Sequence, residues 1–322
     1  AAGKGRRGSG AGKTTVSLRG AEEMSLEEQG ARVSELISSV VAHLPLWSAA
    51  AEALYQLDVL AAFSGFATLG VGPTCRPVFL EDGDEQHLAL KNMWHPILAE
   101  TQVEQIVPND VSLGGSGDAA SLLLTGPNMG GKTTLLRGVC LTVILAQVGC
   151  WVPATEAHMH VVDTIFTRLG AADNIMAGES TFLVECKEAS SVLRNATPRS
   201  LVVLDELGRG TGTADGYAIA AATLTHLATL GCRTLFATHY HALASDLSAS
   251  VPLQLGHMGC IVREGDDGEE LTFLYRLRPG VCPRSYGIQV ARLAGIPQRV
   301  LRRAQQAGQQ HELSLLGASV PQ

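Results

Sequence analysis

The stretch that decides the fold is Ser121-Leu-Leu-Leu-Thr-Gly126-Pro-Asn-Met-Gly-Gly131-Lys132-Thr133. Its apolar start predicts a buried strand, and the leucines after Thr133 open a helix. Two glycines five positions apart, followed by lysine and a hydroxyl, have the spacing of a P-loop. Such a loop turns backbone N–H groups toward a polyphosphate, at which the next helix aims its positive end. We therefore expect Lys132 at the β- and γ-phosphates and Thr133 on Mg²⁺. The alternative is a glycine turn before a core helix.

A second stretch, Leu201-Val-Val-Leu204, predicts a strand buried on both faces, and it ends in Asp205 and Glu206. In P-loop enzymes an Asp at such a strand end holds the Mg²⁺ shell. An adjacent Glu can accept a proton from the attacking water. Two acids ending a strand are otherwise typical of a solvated turn, but the P-loop favours the catalytic interpretation.

Two further positions are candidates for contact with phosphate. His239 follows a predicted strand over residues 233–238 and would lie in the same row of strand ends, where it could sense a γ-phosphate. Ser180 or Thr181 stands where the N-cap of a predicted helix over 182–195 belongs.

Composition describes a globular protein of 322 residues, 46% of them apolar, with a net charge of −7 and no global basic field. The seven cysteines form no C-x-x-C pair, which suits thiols in a reducing compartment, and no zinc site is expected. No signal peptide pattern is found. The most apolar run, residues 36–51, contains His43 and Pro45, so we expect a soluble intracellular protein with no membrane span.

The chain is predicted to fall into five segments. A basic, glycine-rich segment is expected to be disordered, and its Gly12-Lys13-Thr14 is rejected as a second P-loop because Arg7 replaces the first glycine and no strand precedes it. A helical segment, kinked or divided at Pro45, follows. The third segment holds the motifs above, short strands near 78–80, 88–90 and 105–107, and a hairpin with an acidic loop. The proposed limits are 1–30, 31–72, 73–282, 283–312 and 313–322.

The fourth segment, residues 283–312, has the pattern of a helix-turn-helix. Arg299, Arg302 and Arg303 lie on its second helix. A basic second helix could enter a DNA groove, or these residues could form a solvated face beside a packing surface.

Taken together, the motifs resemble one family, the MutS DNA mismatch-repair ATPases of the ABC-type nucleotide-binding class. The similarity covers residues 57–306. The residues that carry it are Thr125-Gly-Pro-Asn-Met-Gly-Gly-Lys132, Phe166-Thr-Arg-Leu-Gly-Ala-Ala-Asp173, Gly178-Glu-Ser-Thr-Phe182, Asp205-Glu-Leu-Gly-Arg-Gly-Thr211, Phe236-Ala-Thr-His-Tyr240 and Ser285-Tyr-Gly287. Leu57-Asp-Val-Leu60, Gly72-Pro-Thr-Cys-Arg-Pro77 and Pro108-Asn-Asp110 look most like the eukaryotic MutS homologue 6 branch.

The resemblance implies an α/β P-loop NTPase with a mixed, largely parallel sheet, preceded by a helical lever remnant and ended by a helix-turn-helix that mediates subunit association. It also implies ATP and Mg²⁺ between two subunits, with Ser180 on the γ-phosphate held by the partner and adenine between Ile106 and Tyr275. The phosphate-binding residues would be Gly126, Pro127, Asn128, Met129, Gly130, Gly131, Lys132, Thr133 and Thr134.

The same resemblance implies a nuclear protein that pairs with another MutS homologue, of the homologue 2 type, or with itself. Relatives bind mismatched duplex DNA through domains that precede the ATPase domain, so the chain looks like a carboxyl-terminal portion. Three positions depart from the family pattern. Ile106 stands where an aromatic residue is usual, Thr133 where Ser is common, and Ala214 where relatives often have an aromatic residue.

Rival interpretations remain. A truncated dimerisation scaffold could bind nucleotide without completing a composite site. An ABC transporter subunit is disfavoured because Gly178-Glu-Ser-Thr replaces the Leu-Ser-Gly-Gly-Gln signature. A P-loop kinase would need an acceptor pocket that the sequence does not indicate.

Overall fold

A computed structural model describes residues 26–68, 70–81, 86–101, 106–115, 117–170, 180–265 and 268–315. The rejected second P-loop and residues 171–179, which include parts of two quoted motifs, lie outside these ranges. The chain divides into two compact units, Ala1–Gly65 and Phe66–Gln322, and each is described by itself. All seven cysteines lie in the described ranges and are free thiols.

Helix α1 (Leu26–Ala67) is continuous through Pro45, so of the two predicted alternatives the division into two short helices is wrong. A proline removes one N–H and strains one turn, but the strong helix formers on both sides continue the helix. The helix also begins inside the segment to residue 30 that was expected to be disordered, because Leu26-Glu-Glu-Gln favours helix. Over Glu28–Ala67 it is long and apolar enough to cross a membrane by length and composition alone.

The second unit contains, within the described residues, a six-stranded sheet in the order β10-β9-β4-β8-β7-β6. All neighbouring strands are parallel except the β9–β10 hairpin. The sheet is therefore mixed and largely parallel, as the sequence predicted. Its strands are β4 (Ser121–Thr125), β6 (Ile165–Arg168), β7 (Leu201–Asp205), β8 (Arg233–Ala237), β9 (Gln254–Gly265) and β10 (Gly268–Pro279).

Helices cover both faces of this sheet, which explains why β4, β7 and β8 are buried at every position. Alternate residues of a strand point to opposite faces. Leu122 and Leu124 therefore pack in a core with the leucines of α3, whereas Leu123 packs in a second core with α5. The helices are α3 (Lys132–Gln147), α4 (Thr181–Asn195), α5 (Thr213–Leu230) and α6 (Ala242–Leu247).

A four-stranded sheet, in the order β1-β5-β2-β3, supports the other side of α3. The strand predicted over residues 105–107 is absent at residues 106 and 107, because β3 (Asn109–Leu113) begins only after Pro108, and Ile106 and Val107 line a cavity instead. Residue 105 lies outside the described ranges. The elements are β1 (Val78–Phe79), β2 (Leu88–Met93), α2 (Pro96–Thr101), β3 (Asn109–Leu113) and β5 (Glu156–Met159).

Two helices end the described chain, α7 (Gly287–Leu293) and α8 (Gln298–Leu315). They contact each other across the turn that contains Gly295, whose φ is 81°. Helix α8 continues beyond the predicted limit at residue 312. Arg299, Arg302 and Arg303 are exposed on it.

Candidate nucleotide site

The loop between β4 and α3 has a backbone that depends on glycine. Gly126 has φ 136° and Gly131, the N-cap of α3, has φ 96°. A Cβ on Gly126 would lie 3.1 Å from the backbone nitrogen of Met258, so any side chain there meets both strain and a clash. The N-cap of α3 has no side-chain hydrogen bond. The first N–H groups of this 16-residue helix therefore face the loop, where they suit an anion.

Lys132 opens α3 and is 5% exposed. Its Nζ donates to the backbone oxygens of Gly126, at 2.8 Å, and of Pro127, at 3.2 Å. Burial lowers the pKa of the Lys132 ammonium, and the nearby carboxylates of Glu206 and Asp205 oppose that shift. The side chain thus holds a cation inside the loop, as the P-loop prediction requires.

Thr133 and Asp205 meet across the sheet edge, where the Thr133 hydroxyl donates to Asp205 Oδ2 at 2.6 Å. Burial raises the pKa of Asp205, and the hydrogen bond from Thr133 opposes the shift. Among the described atoms, Asp205 Oδ1 is buried without a hydrogen-bond partner. A buried carboxylate oxygen left unpaired is costly, and a hard divalent cation with oxygen ligands would satisfy it. These two residues therefore fit Mg²⁺.

Glu206 follows β7 with its backbone at φ 57°, an uncommon conformation for a residue other than glycine. Its Oε1 lies 2.5 Å from His239 Nε2. Its Oε2 accepts from the guanidinium of Arg209. The hydrogen bond from His239 lowers the pKa of Glu206 to about 2, with help from Arg209 and against partial burial. The carboxylate is ionised, and both its oxygens have partners, one in the His239 ring and the other in the Arg209 guanidinium.

A cavity of about 360 Å³ joins these groups. Lys132, Thr133 and Glu206 line it at one end. Ile106 and Tyr275, the two predicted base contacts, line the same cavity. The structure thus brings the predicted phosphate and base residues together. The other predicted residues that line it are Pro127, Asn128, Met129, Gly131 and Thr134.

Ser180 is exposed and caps α4, as predicted, by accepting from the backbone N–H of Leu183 at 3.2 Å. Ser180 is not among the residues that line the cavity. Within the described residues of this chain, Ser180 therefore lies outside the site formed by Lys132 and Thr133.

The side chain of Glu185 ties α4 to the ends of β6 and β7. Arg168 lies 2.6 Å from Glu185, and both side chains are 4% exposed. The second oxygen of Glu185 accepts from the N–H of Gly208, just after Glu206, at 3.3 Å. The position of the helix that begins after Ser180 is therefore coupled to the turn that follows β7.

The sequence model of MutS domain V matches residues 122–312. The chain belongs to the MutS family. It is 46% identical over 311 residues to "DNA mismatch repair protein MSH7" of Arabidopsis thaliana, which covers 90% of this chain and 28% of that protein. It is 46% identical over 278 residues to "DNA mismatch repair protein Msh6" of Homo sapiens, an alignment that covers 83% of this chain and 20% of that protein. It is 46% identical over 268 residues to "DNA mismatch repair protein MutS" of Chloroflexus aurantiacus, an alignment that covers 81% of this chain and 26% of that protein.

These similarities confirm the MutS resemblance and its likeness to Msh6 proteins. The chain spans between a fifth and a third of the length of the relatives it matches. The MutS domain V match begins at Leu122, so β1, β2 and β3 precede it.

Two contacts in this MutS chain were not predicted from its sequence. Arg209 was quoted within a motif but given no role, although it bonds Glu206. Asn109 was quoted only as a sign of the branch, although its side chain bonds the backbone of Tyr275. Both contacts join residues whose meeting depends on a positive-φ turn or on tertiary pairing, which no local pattern reveals.

Proposed function

We propose that this chain is the ATP-binding and ATP-hydrolysing module of a DNA mismatch-recognition protein, built as a P-loop NTPase of the ABC type. The observation that carries the proposal is the hydrogen bond from Thr133 to Asp205 beside the P-loop lysine, with Asp205 Oδ1 left for a cation. Strands β4 and β7 both run parallel to β8 in one sheet, so the loop after β4 and the end of β7 meet at the same edge.

In this proposal the loop N–H groups, the α3 N-terminus and Lys132 hold the phosphates of ATP. Thr133 and Asp205 would hold Mg²⁺, which supplies charge neutralisation at the β- and γ-phosphates. Glu206 accepts the proton of the attacking water, and it must first give up one of its two present contacts. His239 holds Glu206 and reports the presence of the γ-phosphate. Ile106 and Tyr275 enclose the base.

We further propose that two subunits complete the site. The exposed Ser180 and the first turn of α4, whose N–H groups have no intrahelical acceptors, form an anion site suited to the γ-phosphate held by a partner. The partner is another MutS homologue, of the homologue 2 type, or a second copy. Helices α7 and α8 form a helix-turn-helix that contributes to association, and the complete protein acts on mismatched duplex DNA in the nucleus.

The test is steady-state ATP turnover by the chain mixed with such a partner. Glu206→Ala should abolish hydrolysis while preserving ATP binding. Ser180→Ala should lower turnover only in the presence of the partner. Asn195→Ala, at the exposed far end of the same helix, is the control and should match the unsubstituted protein. Full activity in both site variants would refute these roles.

A non-catalytic scaffold is a second candidate, favoured by one observation. Glu206, with a pKa of about 2 and both oxygens engaged, is a poor proton acceptor as it stands. A scaffold would bind ATP stoichiometrically and show no turnover even with a partner present.

A further inference from the structure

The backbone that carries Tyr275 is irregular. The pairing of β10 with β9 shifts register between Phe273 and Leu277. Tyr275 lies inside this bulge with φ 53°, which a bulky residue adopts only when its surroundings impose it. Its ring lies against the P-loop, since a Cβ on Gly131 would come within 3.2 Å of Tyr275 Cδ1. Some neighbouring group must therefore hold the bulge in this conformation.

The Asn109 side chain supplies that support. Its amide nitrogen donates to the backbone oxygen of Tyr275 at 2.9 Å. Its amide oxygen accepts from the N–H of Leu277 at 2.6 Å. A carboxamide offers donors and an acceptor in one plane, whereas a carboxylate offers only acceptors. The residue type thus matches the two backbone groups that the bulge presents.

Asn109 reaches the opposite wall as well. Its amide nitrogen also donates to the backbone oxygen of Val107 at 3.1 Å, next to Ile106. Its own backbone is fixed in β3, opposite Met93 of β2. One side chain therefore joins the segment that carries Ile106 to the bulge that carries Tyr275.

We propose that Asn109 is the positioning residue of the base slot, setting the separation and orientation of Ile106 and Tyr275 around the base of a bound nucleotide. This inference rests on the proposed nucleotide binding. Asn109 lines the cavity, and its side-chain hydrogen bonds among the described residues go to Val107, Tyr275 and Leu277 rather than to the glycine loop, so its effect should be confined to the base end of the ligand.

The first experiment measures equilibrium binding of ADP and of inorganic tripolyphosphate to the whole chain. Asn109→Asp should weaken ADP binding about tenfold, because two donors are lost and a backbone oxygen faces a carboxylate. Tripolyphosphate affinity should stay unchanged. Asn195→Asp removes a similar amide-to-backbone bond, to Ser191, and should alter neither affinity. Equal weakening of both ligands by Asn109→Asp, or of neither, would overturn the inference.

The second experiment tests whether Asn109 acts through Tyr275. Tyr275→Ala alone should weaken ADP binding, and adding Asn109→Asp should cost clearly less than it does in the unsubstituted chain, because one of the two side chains that it positions is gone and only Ile106 remains. Additive losses would show a separate structural role and overturn the inference. If the unsubstituted chain binds tripolyphosphate but shows no preference for ADP, the base slot is refuted while the phosphate site stands. If it binds neither, the proposed function fails first.

Discussion

His239 Nε2 and Glu206 Oε1 lie 2.5 Å apart, closer than most hydrogen bonds between a ring nitrogen and a carboxylate. Arg209 occupies the other oxygen of Glu206. The carboxylate of Glu206, the proposed proton acceptor, is thus held in its ionised form by contacts at both oxygens. In the proposed hydrolysis, water would have to replace one of these two contacts.

The pairing of Glu206 predicts how stability depends on pH. A carboxyl pKa lowered from 4.5 to about 2 contributes stability that is fully present above pH 4.5 and is lost as pH falls toward 2. Between pH 5 and 3 the unsubstituted chain should therefore lose more unfolding free energy than Glu206→Gln, by about 1 kcal/mol after allowance for partial exposure. Urea unfolding across this range measures it. Parallel pH dependences would contradict the pairing.

The buried ion pair of Arg168 and Glu185 predicts a large effect of a single change. Glu185→Gln leaves the buried Arg168 charge with only the half-exposed Glu188, 3.6 Å away, as an acid partner and should cost about 3 kcal/mol of unfolding free energy. The exposed pair of Lys91 and Glu156 offers a matched control, and Lys91→Met should leave the unfolding free energy almost unchanged. Both values come from chemical denaturation. Similar costs for the two changes would show that burial of the first pair is not retained in solution.

Thr133 can be tested through the metal. Thr133→Val keeps the shape of the side chain but removes the hydroxyl that donates to Asp205 Oδ2. The gain in ADP affinity that Mg²⁺ provides should therefore fall at least about tenfold. Thr133→Ser keeps the oxygen and should behave as the unsubstituted protein. The measurement is ADP affinity with Mg²⁺ and with EDTA. An unchanged ratio in Thr133→Val would exclude this residue as a ligand.

The P-loop geometry predicts a difference between two glycines with positive φ. Gly126→Ala adds a Cβ 3.1 Å from the backbone of Met258 and should lower both stability and tripolyphosphate affinity. Gly149 follows α3 and has φ 90°, and a Cβ added there would meet no atom within 4 Å. Gly149→Ala should therefore lower stability only through backbone strain, by about 1 kcal/mol. Thermal unfolding and tripolyphosphate titration separate the two effects. A loss of affinity in Gly149→Ala would show that strain anywhere is sufficient.

Local patterns predicted much of the fold and several of the residues that line the cavity. The strand and helix on either side of the glycine loop, the continuous apolar strands that end at Asp205 and before His239, and the N-cap at Ser180 each depend on a few adjacent residues. The structure has each of these elements where it was predicted. The strand predicted near Ile106 failed because a short apolar run fits a cavity wall as well as a sheet. The roles of Asn109 and Arg209 depend on pairings that only the folded chain creates.

The cavity draws one wall from the segment before β3, in the four-stranded sheet, and its floor from the loop after β4, in the six-stranded sheet. The two sheets are already joined by α3 and by the hydrogen bonds of Asn109 to Tyr275 and Leu277. A nucleotide filling the cavity would add a further bridge between them, so its release should make the domain less rigid.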